Sequence, residues 1–103
     1  MHITDGGPGG VLQINGALDV STAQALQQEL MEYFDREPAP VIDLSRVDAC
    51  DTAALQVLIS LRKSAVAASR PLRLLALSTA TQRTIAALGL NAQELGMESD
   101  SAA

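Results

Sequence analysis

The sequence predicts a single α/β domain with a mixed central sheet of about four strands packed against three to four helices. Short apolar, β-branched runs alternate with longer stretches whose apolar residues recur at helical spacing. Proline, glycine and capping residues fall at the changeovers. The 103 residues, 48% of them hydrophobic, provide for one core. Strands alternating with helices in this order form a sheet with parallel pairs and right-handed crossovers.

Composition narrows the function. Tyr33 and Phe34 are the only aromatic residues, so the core is built from Leu, Ile, Val and Ala, and there is no stacking platform for bases. A net charge of −5 opposes a phosphate backbone, and no nucleic-acid partner is expected. One cysteine, Cys50, cannot form an internal disulfide, and no signal peptide is evident; together these point to the cytoplasm. No apolar run approaches the roughly 18 to 20 residues that span a bilayer, so direct membrane insertion is not expected. With one Cys and one His, a Cys/His zinc site is excluded, and neither metal nor cofactor is expected. His2 reads as a surface residue near the N-terminus.

Residues 2–4 form a possible first strand, and the Gly/Pro-rich run 5–10 reads as a turn; it lacks the Lys-Ser/Thr ending of a phosphate-binding loop. Residues 11–15 alternate as a strand that Gly16 closes. The first helix is expected over 20–36, with Ser21 and Gln24 as a capping box and Ala23, Leu26, Leu30, Tyr33 and Phe34 inward. Pro38 and Pro40 stop it. A strand over 41–44 leads into a loop over 45–51.

The second helix is expected over 52–68, with Ala54, Leu58, Leu61, Ala65 and Ala68 on its buried face and Leu55, Ile59 and Val66 widening it. Arg70-Pro71 breaks it before a strand over 72–77. Ser78 or Thr79 caps a third helix that turns Ile85 and Leu88 inward and ends at Gly89. Residues 90–95 are a candidate short closing segment. The domain is expected to occupy 1–96, with 97–103 as a flexible acidic tail.

Strand and helix patterns meet at Asp51-Thr52. Asp51 is a good N-cap, which makes Thr52 the first helical residue, with its hydroxyl at the positive end of the macrodipole, where a phosphate would find unpaired N–H donors. Taken alone, Asp-Thr before an apolar run is an ordinary cap, and Asp19, between a strand and a helix, is an ordinary turn former. Both fall at the carboxyl ends of strands, the usual recognition edge of an α/β sheet.

Asp43-Leu44-Ser45, Val47 and Asp51-Thr52-Ala53-Ala54-Leu55 together resemble the signature of the STAS family, named for sulphate transporters and anti-sigma factor antagonists. Asn15-Gly16-Ala17-Leu18-Asp19 resembles the family's Gly-Glu-Leu-Asp, and Leu77-Ser78 with Leu88-Gly89-Leu90 resembles its Leu-Ser-Pro and Gly-Leu. The likeness covers residues 10–95. It implies a STAS-type fold without catalytic activity. It also implies that Thr52 is the phospho-acceptor of a partner serine/threonine kinase that acts as an anti-sigma factor. Asp19, Asp51, Thr52, Ala53, Ala54 and Ser78 are the implied partner-binding residues, on a chain expected as a monomer or weak dimer. Ala53-Ala54 stands where the family usually has Ser/Thr/Ala-Gly, so a site of close backbone approach is lost.

The same family includes cytoplasmic subunits that bind the ATPase of phospholipid-transporting ABC complexes, and adaptors in chemotaxis-type signalling; the motif does not separate them. A hydrolase using Asp51 or Asp43 lacks a paired base or metal set. Cys50 beside the cap reads either as a redox thiol or as a small buried hydrophobe, and the family's apolar residue at this position implies the second.

Overall fold

The computed structural model describes residues 1–7, 10–91 and 97–99. Its elements follow in the order β1 (His2–Asp5), β2 (Leu12–Leu18), α1 (Ala23–Arg36), β3 (Val41–Cys50), α2 (Thr52–Ala67), β4 (Arg73–Leu77), α3 (Thr79–Ala87) and β5 (Met97–Ser99). The strands lie side by side in sequence order, β1 antiparallel to β2 and all later pairs parallel. The expected mixed sheet is therefore present, with one edge strand more than four. That strand, β5, is drawn from residues the sequence reading assigned to the tail.

Sequential parallel strands joined by helices of one hand put those helices on one face. Accordingly α1 packs on α2 and α2 on α3. The core lies between this layer and the sheet. Leu12, Ile14, Leu18, Ile42, Leu44 and Leu74 come from the strands, and Leu26, Leu30, Tyr33, Leu55, Leu58 and Ile85 from the helices, all buried. Burial of each such side chain contributes roughly 1.5–3 kcal/mol before conformational entropy is set against it. The alternate residues Gln13, Asn15, Asp43 and Ser45 lie half-buried on the other face.

Strands β2 and β3 are longer than the alternation suggests. β3 runs on through the segment expected as a loop and pairs with β2 up to Leu18 opposite Cys50, through two irregularities in register. Buried residues in β3 fall at 42, 44, 47 and 50, so the spacing changes from two to three and masks the strand. Gly16, at φ +92, supplies the left-handed backbone inside the β2 irregularity, which explains why this glycine continues the strand instead of closing it.

The helix ends carry further differences. α1 begins at Ala23, not Val20, and Thr22 occupies the N-cap position without a side-chain cap bond. The Ser21–Gln24 box does not form because the Asp19 carboxylate takes the Ser21 N–H and hydroxyl and the Thr22 N–H. On α2, Val66 is exposed, as is Ala68, the C-cap residue; Leu88, the C-cap of α3, is also exposed. Both ends close with Schellman bonds, Arg70 N–H to Ala65 C=O and Leu90 N–H to Ile85 C=O. The left-handed residue is Gly89 after α3 but Ser69, at φ 53, after α2. The proposed closing segment at 90–95 lies largely outside the described residues.

Candidate functional site

The parallel pairing of β2 and β3 sets the chain ends of the two strands beside each other, with Leu18 opposite Cys50 and the Asp51 N–H donating to Leu18 C=O at 3.0 Å. Asp19 and Asp51, thirty-two positions apart in sequence, thus leave the sheet as neighbours. Asp51 is the N-cap of α2: its Oδ1 accepts from the Ala54 N–H at 3.0 Å, and its C=O accepts from Leu55 N–H. Its Oδ2 reaches across and accepts from the Val20 N–H at 2.9 Å. One carboxylate therefore fixes both the start of α2 and the loop before α1.

Thr52 is the first residue of α2 and is exposed. The N–H groups of Thr52 and Ala53 have no intrahelical acceptor, so the positive end of the helix lies at an exposed threonine. Asp19 sits in a turn closed by its own side chain, and the Thr22 hydroxyl accepts from the Asp19 N–H at 3.0 Å. The Ser21 hydroxyl lowers the pKa of the Asp19 carboxyl most; desolvation opposes it, and the Ser21 and Thr22 N–H groups and the Thr22 hydroxyl lower it further.

Two of the expected contact residues lie below the surface. Ala54 is fully buried in the core, because the helix turns its third position toward the sheet. Ser78 is also buried; its hydroxyl accepts from the Thr81 N–H at 3.2 Å and caps α3. β4 pairs with β3 only as far as Leu75 opposite Asp43, well short of Cys50 at the end of β3. Ala53 is half-buried and Asp48 exposed. Val20 also belongs to this end of the domain: it is exposed and its N–H is bound to Asp51, and a lone valine in a loop carries no local signal of this, since only the long-range bond places it here.

Cys50 is buried, and desolvation pushes its thiol up to about 11, despite a hydrogen bond from Thr81. Such a thiol is a packing residue, not a thiolate nucleophile. Its carbonyl oxygen accepts from the Thr84 hydroxyl, which ties α3 to the residue before the cap.

Two hollows in the surface lie elsewhere. One of about 290 Å³ is lined by Asp5, Gly7, Arg36 and Glu37 at the opposite end of the sheet, and one of about 150 Å³ lies between α1 and α2 near Met31 and Val57. No group of His, Cys, Asp and Glu among the described residues could hold a metal ion. Among those residues no helix is long and apolar enough to cross a membrane.

The profile of the family described as Mlab, STAS domain, matches residues 1–97. The chain belongs to the STAS family. A solved STAS-like structure, titled as the crystal structure of an anti-sigma factor antagonist from Mycobacterium paratuberculosis, superposes with a TM-score of 0.71 at 28% identity, covering 94% of this chain and 82% of that one. Comparison with curated protein sequences returns no match. This STAS domain therefore resembles anti-sigma factor antagonists over nearly its full length.

Proposed function

We infer that the protein is a partner switch of the anti-sigma factor antagonist type, in which Thr52 is the phospho-acceptor of a serine/threonine kinase that is itself the binding partner. The observation that carries this reading is an exposed threonine at the first position of α2, in a chain 28% identical to an antagonist of the same fold. In the unmodified state the loop at Asp19, the cap at Asp51 and the first turn of α2 meet the partner. Phosphorylation adds about 1.5–2 negative charges at a point already bounded by Asp51 and Asp19. The helix N-terminus tolerates that charge within the domain, but a docked partner must desolvate it, and the complex separates.

Nothing in this chain has to catalyse the transfer; ATP and magnesium are held by the kinase. The setting is the cytoplasm. A second reading, an adaptor that binds an ABC ATPase with Thr52 as an unmodified contact, draws on one observation: Ala54 is buried with no glycine beside Thr52, which removes a point of close backbone approach for a kinase.

Purification of the tagged full-length protein from its host, with Thr52→Asp in parallel, tests the two. A histidine-kinase-like ATPase recovered with the wild type and lost with Thr52→Asp supports the switch. An ABC ATPase recovered in its place supports the adaptor.

A further inference from the structure

Val20 is the most exposed large hydrophobic side chain among the described residues, with 75% of its surface open to solvent. One exposed valine is ordinary; the manner in which this one is held is not. Its N–H is bound by Asp51 Oδ2 at 2.9 Å, and the turn around it is closed by the Asp19 carboxylate on Ser21 and Thr22 and by the Thr22 hydroxyl on Asp19. A side chain presented from a pinned loop gives up little freedom when it docks. Asp19 and Asp51 flank it, and neither forms a salt bridge among the described residues.

We propose that Val20 is the apolar anchor of the partner-binding surface, and that its occupant is a protein pocket lined by aliphatic side chains and rimmed by Lys or Arg. The proposal rests on the reading that the end of the domain bearing Thr52 is the docking face. An apolar centre within an acidic rim matches the usual anatomy of such interfaces, where a desolvated hydrophobic contact supplies affinity and surrounding charge selects the partner. The same rim repels nucleic acid and anionic lipid surfaces.

The test places a diazirine-bearing aliphatic side chain at position 20 of the full-length protein in its native host. The control position is Val66, 63% exposed but near the far end of α2, about 21 Å along the helix from Thr52. The expected result is a protein adduct from position 20 and none from 66, with the crosslinked peptide carrying apolar residues next to basic ones. Against that isolated protein, Val20→Ala should weaken binding about tenfold while leaving the melting temperature unchanged.

No adduct at 20, equal adducts at 20 and 66, or a Val20→Ala affinity within twofold of wild type overturns the anchor. A Thr52→Asp variant separates this from the switch itself. If Thr52→Asp weakens binding and Val20→Ala does not, the anchor alone is wrong; the reverse pattern upholds the anchor and removes the switch.

Discussion

Asp51 and Val20 are joined by a hydrogen bond of 2.9 Å from the Val20 N–H to one carboxylate oxygen of Asp51, whose other oxygen caps α2 at Ala54. The bond spans thirty-one positions of sequence and welds two loops into one surface. Asp51 is therefore more than a local cap: it transmits the position of the helix start to the loop bearing Asp19.

Replacing it tests this double role. Asp51→Ala should cost about 1–2 kcal/mol in chemical denaturation, the usual loss for an N-cap. It should also speed hydrogen exchange at the Val20 amide. Asp51→Asn, which retains an acceptor oxygen, should lose less. A slow Val20 amide in the alanine variant would show that the loop is held by Asp19 and Thr22 alone.

Tyr33 is buried, with its hydroxyl accepting from the Val41 N–H at 3.0 Å and within hydrogen-bond reach of the Gly10 and Val41 carbonyl oxygens. Tyr33→Phe keeps the ring but orphans the Val41 N–H where β3 begins. Because that donor is only part-buried, the loss should be about 1 kcal/mol, at the low end for an orphaned donor, and thermal and urea unfolding should both register it.

The two Schellman closures give a reciprocal pair. Ser69 adopts φ 53 with a side chain that disfavours it, whereas Gly89 adopts φ 72 freely. Ser69→Gly should raise stability by up to about 1 kcal/mol, and Gly89→Ala should lower it by a similar amount. Urea midpoints of the two variants shifted in the same direction would refute the assignment.

Acid stability follows from Asp19 and Asp43. Asp19 is lowered by the Ser21 hydroxyl and the turn N–H groups. For Asp43, burial opposes ionisation, but Ser45, Gln13 and Arg46 outweigh it. Both native pKa values lie below the ordinary 3.8, so the unfolded chain takes up protons first as the pH falls. Their contribution is fully present above about 3.8 and is lost as the pH drops through the native values. Denaturation midpoints between pH 5 and pH 2.5 should fall, and more gently for Asp19→Asn or Asp43→Asn.

Much of this was legible in the chain. Asp51-Thr52 marked the start of α2 because capping is local chemistry, and Gly89 marked the end of α3 for the same reason. The strands over 41–44 and 72–77 stood out as apolar runs bounded by breakers, and the one over 11–15 by its alternation. What stayed hidden depends on contacts distant in sequence. The length of β3 is set by pairing with β2 through bulges that break its period. The late start of α1 reflects competition by Asp19 for the donors a capping box would use. The pairing of Met97–Ser99 with β4 belongs to a run too short and polar to show alternation. At the site, Ala54 and Ser78 shared the motif but not the surface, because helix phase turns Ala54 into the core and Ser78 is buried as the cap of α3.

Whether the Thr52 hydroxyl is what governs docking is tested most directly by intact-mass measurement of the protein isolated from its host under several growth conditions, beside a Thr52→Ala control. The switch predicts a single added phosphate in at least one condition, absent from the control. An unmodified mass under every condition, or a phosphate that persists in Thr52→Ala, would contradict it.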